Sequence, residues 1–350
     1  MMTDHTGRSK DDRGGGPVAI DARAAARPEL GGVERWAREL ARRLPALRPG
    51  GYVVLRPPTA LAHRAGHVWE QIVLPVRTTR LGARALLCPA NLAPLAYGHS
   101  TVVIHDAAPL RHPGWYSRTY VAWQRLVLPA IARRARRVVT DSEFGREELA
   151  ELLGVEATVV RGGVDERFTP AADPEPARRA LGLDRPYILC VASHTARKNL
   201  GALVPAARAL AADGIEVVVA GGHRPQFAPE RGLDALRLLG HVDDALLPGL
   251  YAGAEAFALP SLYEGFGLPA LEAMACGTPV MAADAAALPE TCGGAALLAA
   301  PDGEAFAAAL TGLLGDHGAR ERLRASGLER AAGFSWGRTA RAVDALLAEN

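Results

Sequence analysis

One continuous segment constrains this chain more than any other: Ser261-Leu262-Tyr263-Glu264-Gly265-Phe266-Gly267-Leu268-Pro269-Ala270-Leu271-Glu272-Ala273-Met274-Ala275-Cys276-Gly277-Thr278-Pro279-Val280. Just before it, Ala256-Phe257-Ala258-Leu259 is an apolar run of strand length, and Pro260 lacks the N–H needed to continue a ladder. Gly265 and Gly267 admit backbone geometry closed to other residues. Pro269 suits the first position of a helix that runs to about Cys276, where Gly277 caps it. A strand, a glycine turn and a helix in this order leave the first helical amides without internal partners, at the positive end of the macrodipole. The Gly267-Leu268 corner is therefore a seat for phosphate, with Glu264 and Glu272 flanking it. Ionised carboxylates only accept hydrogen bonds, so beside a phosphate they should face hydroxyl groups, which a sugar and a ribose supply. A Gly-Pro turn with two surface glutamates is the simpler alternative.

A second feature is a choice of cation. Of the 40 basic residues only Lys10 and Lys198 are lysine, so arginine stands almost wherever a positive charge does. A compact ammonium differs from a planar fork when it must reach a phosphate in a tight loop. Arg197-Lys198-Asn199 follows an apolar strand, Tyr187 to Val191, and precedes a helix starting near Asn199 or Leu200. Paired cations at a strand-loop-helix corner are where a diphosphate should lie. The glycines and the following Ser or Thr of a P-loop are absent. A chance lysine in a surface loop is the competing explanation.

The rest of the chain repeats this strand-helix rhythm. Short β-type runs at 17–21, 52–55, 85–88, 101–104, 137–140 and 157–160 alternate with helical stretches that include 32–44, 115–134 and 143–153. A second series, at 187–191, 215–220, 236–239, 255–259, 279–281 and 296–299, is separated by helices near 200–211, 243–251, 269–276 and 304–314. Alternation of this kind predicts two doubly wound α/β halves, and 350 residues with 49% hydrophobic content are enough for two cores. Residues 17–168 are expected to form the first domain and 177–332 the second, joined by a Pro- and Ala-rich linker over 168–176. Residues 1–16 are polar and glycine-rich, without the apolar core of a signal peptide, and are expected to be a disordered tail. An amphipathic helix is expected over 335–349, within a terminal segment 333–350.

Charge and cysteine usage narrow the function classes. Residues 1–165 hold 24 Lys and Arg against 16 Asp and Glu, while the remainder holds 16 against 22, so the first half is basic. An anionic acceptor or an anionic membrane surface would suit that half; arginine-rich coding on solvated helix faces is the favoured explanation. No interleaved aromatic or hairpin pattern points to nucleic acid. No run approaches a membrane span. Cys88, Cys190, Cys276 and Cys292 lack metal-ligand spacing and lie in or beside apolar segments, reading as reduced buried thiols of a cytoplasmic protein. His194, His223 and His241 are dispersed, and Asp243-Asp244 suits a helix cap better than a metal site.

The Glu-x7-Glu segment resembles the donor-site signature of the retaining family 4 glycosyltransferases, which have the GT-B fold of two facing Rossmann-like domains with a cleft between them. Val191 to Leu200 resembles the family's donor-phosphate loop, and Val102-Val103-Ile104-His105-Asp106 its interdomain histidine segment. Trp69-Glu70-Gln71, Thr140-Asp141-Ser142-Glu143-Phe144 and Gly163-Val164-Asp165-Glu166-Arg167-Phe168 extend the match, which covers the chain from about Gly31 to Phe334. The resemblance implies transfer of a hexosyl group from a nucleotide-diphosphate sugar to an acceptor hydroxyl, with no cofactor and no metal. It assigns the chemistry to Arg197, Lys198, Glu264 and His105, the last beside the transferred sugar. Donor contacts are expected from Glu272, Gly265, Phe266, Gly267 and Leu268, from Gly31 and Gly32 across the cleft, and from His194 bordering the phosphates. It further implies that the terminal helix crosses back onto the first domain.

Two features depart from the family pattern. Arg161-Gly162 stands where a Pro-Asn pair usually precedes Gly-Val-Asp, and the chain is short, which implies an open acceptor pocket. The His105-Asp106 and Ser193–Arg197 segments look most like polysaccharide mannosyl- and rhamnosyltransferases, which favours mannose on GDP over UDP- or TDP-linked sugars. Other GT-B enzymes, such as a nucleotide-sugar epimerase or a phosphorylase, lack this Arg-Lys loop in combination with Glu-x7-Glu. A non-catalytic binding subunit would not be expected to keep all four charged residues.

Overall fold

A computed structural model describes residues 15–27, 31–58, 61, 66–222 and 230–349. The expected tail, apart from its last two residues, and His223 lie outside them. Among the described residues, twelve strands form two six-stranded sheets, parallel throughout. The first contains β1 (Val18–Asp21), β2 (Tyr52–Leu55), β3 (Ala85–Cys88), β4 (Ser100–Val103), β5 (Arg137–Thr140) and β6 (Ala157–Val159), in the order β2-β1-β3-β4-β5-β6. The second contains β7 (Tyr187–Val191), β8 (Glu216–Ala220), β9 (Arg237–Gly240), β10 (Ala256–Leu259), β11 (Val280–Ala283) and β12 (Leu297–Ala299), in the order β12-β11-β10-β7-β8-β9. Their inner strands are fully buried Val-, Ile-, Leu- and Ala-rich runs, as helix-covered parallel sheets require.

Strand order decides where a ligand can sit. In the second sheet β7 winds outward to β8 and β9 while β10 winds the other way to β11 and β12, so the chain reverses between β7 and β10. Loops that follow those two strands diverge and leave a crevice at their carboxyl ends. The Arg197-Lys198 loop follows β7, and the Glu264–Gly267 turn follows β10. The first sheet reverses in the same way between β1 and β3.

Helices relevant to the site are α1 (Gly32–Leu47), α2 (Arg118–Arg134), α3 (Glu143–Leu153), α4 (Leu268–Ala275), α5 (His317–Ala332) and α6 (Trp336–Ala348). Helix α6 does cross to the first sheet's side. Trp336 meets Trp36 of α1 edge-on at 5.7 Å, and Asp344 accepts hydrogen bonds from Arg48 at 2.8 Å and the Tyr52 hydroxyl at 2.5 Å. One apolar core runs from α1 through Phe168 and Trp336 into the second sheet, and the other face of the first sheet has its own.

Several elements differ from expectation. Helix α2 starts at Arg118 rather than Trp115, because Pro113–Trp115 forms a separate 3-10 turn and Ser117 caps the helix. The region read as linker ends inside a helix, Glu175–Leu181. The helix expected from Asp243 begins only at Leu247, so Asp243 does not cap it; its carboxylate accepts from Ala245 N–H at 2.9 Å within a turn. Helix α5 was not expected. It packs on α4 through small residues, and a Cβ on Gly327 would sit 3.2 Å from Met274 Cγ.

Candidate functional site

Backbone contacts bind the two strand-end loops of the second sheet to one another. Leu262 N–H donates to Arg197 O at 2.9 Å, and the Asn199 amide donates to Pro260 O at 3.1 Å and to Pro301 O at 2.9 Å. Joined in this way, the loops set Lys198 against Glu264 as a directly bonded ion pair, with both residues less than 9% exposed. Arg197 Nη1 lies 3.5 Å from the other Glu264 oxygen and donates to Tyr263 O at 3.1 Å. Burial pushes the Glu264 carboxyl upward, but Lys198 and Arg197 outweigh it and hold it below the usual carboxylate range. The Lys198 ammonium is pulled down by burial, with Glu264 opposing.

The amides that open the next helical stretch are already used. Leu200 N–H and Gly201 N–H donate to the Glu230 carboxylate at 2.8 and 2.6 Å. At the start of α4 Pro269 has no N–H and Ala270 N–H donates to Gly267 O at 3.0 Å, so an anion near Arg197 and Lys198 meets the Gly267 and Leu268 amides there instead. Gly267 precedes α4 at φ +101°, a backbone conformation that favours glycine, and a Cβ there would also lie 2.7 Å from Leu288 Cδ2 and force that side chain to shift.

One turn into α4, Glu272 is 4% exposed and accepts from the Tyr251 hydroxyl at 2.9 Å. Arg35, from α1 across the cleft, approaches its second oxygen at 3.3 Å and reaches Asp244 at 2.8 Å. Arg167 pairs with the other Asp244 oxygen. Burial raises the Glu272 carboxyl above its ordinary value despite Arg35 and Tyr251. Asp244 thus ties α1 to the second domain. The sequence marked neither it nor Arg35 as a site residue, because nothing local reveals that the two face each other.

The opposing wall comes from the first sheet. Gly31 and Gly32 open α1 onto the cleft, and the Glu34 carboxylate turns back to accept from Gly31 N–H at 3.0 Å. His105 follows β4, 5% exposed, with its Trp36 neighbour edge-on at 5.5 Å. Both ring nitrogens face acceptors: Nδ1 lies 2.8 Å from Asp141 Oδ2 and Nε2 lies 2.9 Å from Pro89 O. Burial works against a charged imidazole, yet Asp141 and Pro89 outweigh it, and the pKa of His105 is raised. What His105 turns toward the second domain is its backbone. A Cβ on Gly265 would come within 2.0 Å of the His105 carbonyl oxygen, and Ser142 Oγ donates to Gly265 O at 2.6 Å.

Arg35, Arg197, Lys198, Glu264, Glu272 and His105 border one interdomain cleft of about 660 Å³. Every residue expected at the site from the sequence lines it except His194, whose N–H donates to Gly222 O; Ser193 lines the cleft in its place. Among the described residues, no group of three His, Cys, Asp or Glu is placed to hold a metal ion, and no helix is long and apolar enough to cross a membrane. Chemically, the cleft offers the buried Lys198, the partly buried Arg197 and the Gly267-Leu268 amides for an anion, flanked by two carboxylates for hydroxyl groups.

A family model described as "Glycosyl transferases group 1" matches residues 185–316. O-antigen chain mannosyltransferase B of Escherichia coli is 32% identical over 255 residues, covering 68% of this chain and 67% of that protein. A D-inositol 3-phosphate glycosyltransferase of Salinispora arenicola is 35% identical over 240 residues, 60% of this chain and 54% of that protein. The chain therefore spans two thirds of the first and little more than half of the second. Among solved structures, the sucrose-phosphate synthase of Thermosynechococcus elongatus superposes with a TM-score of 0.76 at 22% identity, covering 95% of this chain and 98% of that one. Anabaena HepE in complex with UDP-glucose gives 0.71 at 18% identity, covering 95% and 100%. These two likenesses show the fold.

Proposed function

Since the chain belongs to the group 1 glycosyltransferases, family 4 enzymes of the GT-B fold, we propose that it transfers a hexosyl group from a nucleotide-diphosphate sugar to an acceptor hydroxyl, retaining the anomeric configuration. The observation that carries this reading is the buried Lys198–Glu264 pair, with Arg197 beside it and the open end of α4 opposite. The diphosphate lies against Arg197, Lys198 and the Gly267-Leu268 amides. As the bond to the anomeric carbon lengthens, negative charge grows on the departing phosphate oxygen, and these fixed charges and dipoles stabilise it. That oxygen takes the proton from the acceptor hydroxyl, which attacks on the same face through an oxocarbenium-like transition state. Glu264 orients sugar hydroxyls and Glu272 those of the ribose. Neither acts as a glycosidase-type acid or nucleophile. His105 borders the transferred sugar through its backbone, its imidazole being held by Asp141 and Pro89. No step of the scheme passes through a metal ion.

Mannose on GDP is our first donor, supported by the mannosyltransferase among the relatives; UDP-glucose, held by the HepE structure, is the second. The four free, buried cysteines suit a reducing compartment, and we place the reaction in the cytoplasm. The test begins with thermal shifts under GDP-, UDP- and TDP-linked sugars, since a cleft ligand at 100 to 1,000 times its Kd should stabilise by about 3–4 kcal/mol. Turnover of the best donor is then measured for the parental protein and for Lys198→Ala and Glu264→Ala. Each variant should lose about 10²–10³ in kcat. Retained turnover in both would sink the proposed site.

A further inference from the structure

From Leu40 to Thr140 the sequence carries 15 arginines and only two acidic residues, Glu70 and Asp106. Neither acid shapes the outer surface: Glu70 is 1% exposed and paired with Arg23, and Asp106 borders the cleft. Coding bias explains arginine in place of lysine but not the loss of carboxylates. Nor does it explain the exposed apolar side chains within the same stretch of chain. Gly66–Val68, Trp69–Val73 and Leu74–Arg80 form one helical stretch, on which Val68, Ile72 and Val76 stand 45%, 60% and 45% exposed at four-residue intervals. On adjoining α2, Leu126 is 75% exposed. His67 packs on Trp123 at 4.7 Å between ring centroids, so the two helical elements are neighbours, and both rings border the cleft. Arg77 and Arg80 on the first element and Arg118 and Arg125 on the second are exposed. Unlike Arg111 and Arg137, which pair with Glu148 and Glu349, these four have no ion-pair partner among the described residues.

We propose that this face docks the protein on an anionic lipid bilayer. Separate aliphatic side chains standing between arginines match the headgroup boundary, where the apolar groups enter the interface and the arginines meet phosphates. A second copy fits poorly, because these two helical elements, whose one carboxylate Glu70 is buried, would meet their own positive charge. The cleft mouth at His67 and Trp123 then opens toward the membrane surface, so the acceptor is one carried there. The proposal stands apart from the reaction, since binding is measured with no donor present.

The test is co-sedimentation of the full chain with phosphatidylcholine vesicles, with and without phosphatidylglycerol. Binding is expected only with phosphatidylglycerol and should fall as salt rises. Arg80→Gln and Arg125→Gln should each weaken it about fivefold, from about 1 kcal/mol per basic residue. Ile72→Asp combined with Leu126→Asp should weaken it more than tenfold, while melting temperature and donor binding stay at parental values. Equal binding to neutral and anionic vesicles, or parental binding by all the variants, overturns the proposal. So does light scattering that shows these residues mediating self-association instead. The salt series on the parental protein needs no variant to fold.

Discussion

Lys198 and Glu264 are 66 residues apart and share one buried contact, in which each opposes the burial that works against the other's charge, with Arg197 adding to Lys198 at Glu264. His105 and Asp141 form a second such pair, and its sign with pH can be worked out. Both pKa values are raised on folding, His105 by Asp141 against burial and Asp141 by burial against His105. A raised value means that the folded state holds the proton more tightly. The stability His105 adds is therefore fully present below its ordinary value of 6.5 and is lost as pH climbs through the higher folded value. We expect the parental protein to lose melting temperature across that window, and His105→Gln combined with Asp141→Asn to lose less. Parallel pH profiles for the two proteins would contradict this assignment. Glu264 runs the other way: its depressed value gives stability that is present above 4.5 and lost as pH falls below it.

At the scale of elements, α4 matters through its start. Gly267 and Gly277, the residues before and after the α4–Cys276 turn, both sit at positive φ, +101° and +72°. Only at Gly267 would a side chain also collide, with Leu288; at Gly277 the nearest atoms, on Pro170, are at an ordinary 3.6 Å. Alanine at either position should cost about 1–3 kcal/mol in denaturant unfolding for the backbone conformation. Gly267→Ala should in addition weaken nucleotide binding, whereas Gly277→Ala should leave it unchanged; equal binding losses would place the phosphate seat elsewhere. Helix α5 explains why elements are legible unequally. Its fully buried positions are only Gly327 and Ala331, so no apolar stripe marks it, although it supports α4 from behind. The twelve strands were legible for the opposite reason, each being a short apolar or β-branched run between turn residues.

For the whole molecule, the question is how closely the two sheets approach. Gly265 touches the His105 carbonyl, Arg35 bridges to Glu272 and Asp244, and the Tyr263 hydroxyl donates to Glu148 at 3.2 Å, all across the cleft. Gly265→Ala should force the domains apart. We expect a larger radius of gyration in solution scattering and a loss of about 10² in kcat/KM, as for a misplacement near 1 Å. An unchanged radius with full activity would show that the approach is not needed. The turn after β10, the Arg197-Lys198 loop and the alternation of strands and helices were already set in the sequence, because each is local: the residues that define it are neighbours along the chain. The pairing of those parts was decided only by the tertiary structure. Which strands reverse, that Glu230 takes the amides after Asn199, that Asp244 anchors Arg35 rather than capping a helix, and that His105 faces the cleft with its backbone all depend on contacts between distant segments. Sequence names the chemical groups; only packing brings them within bonding distance of one another.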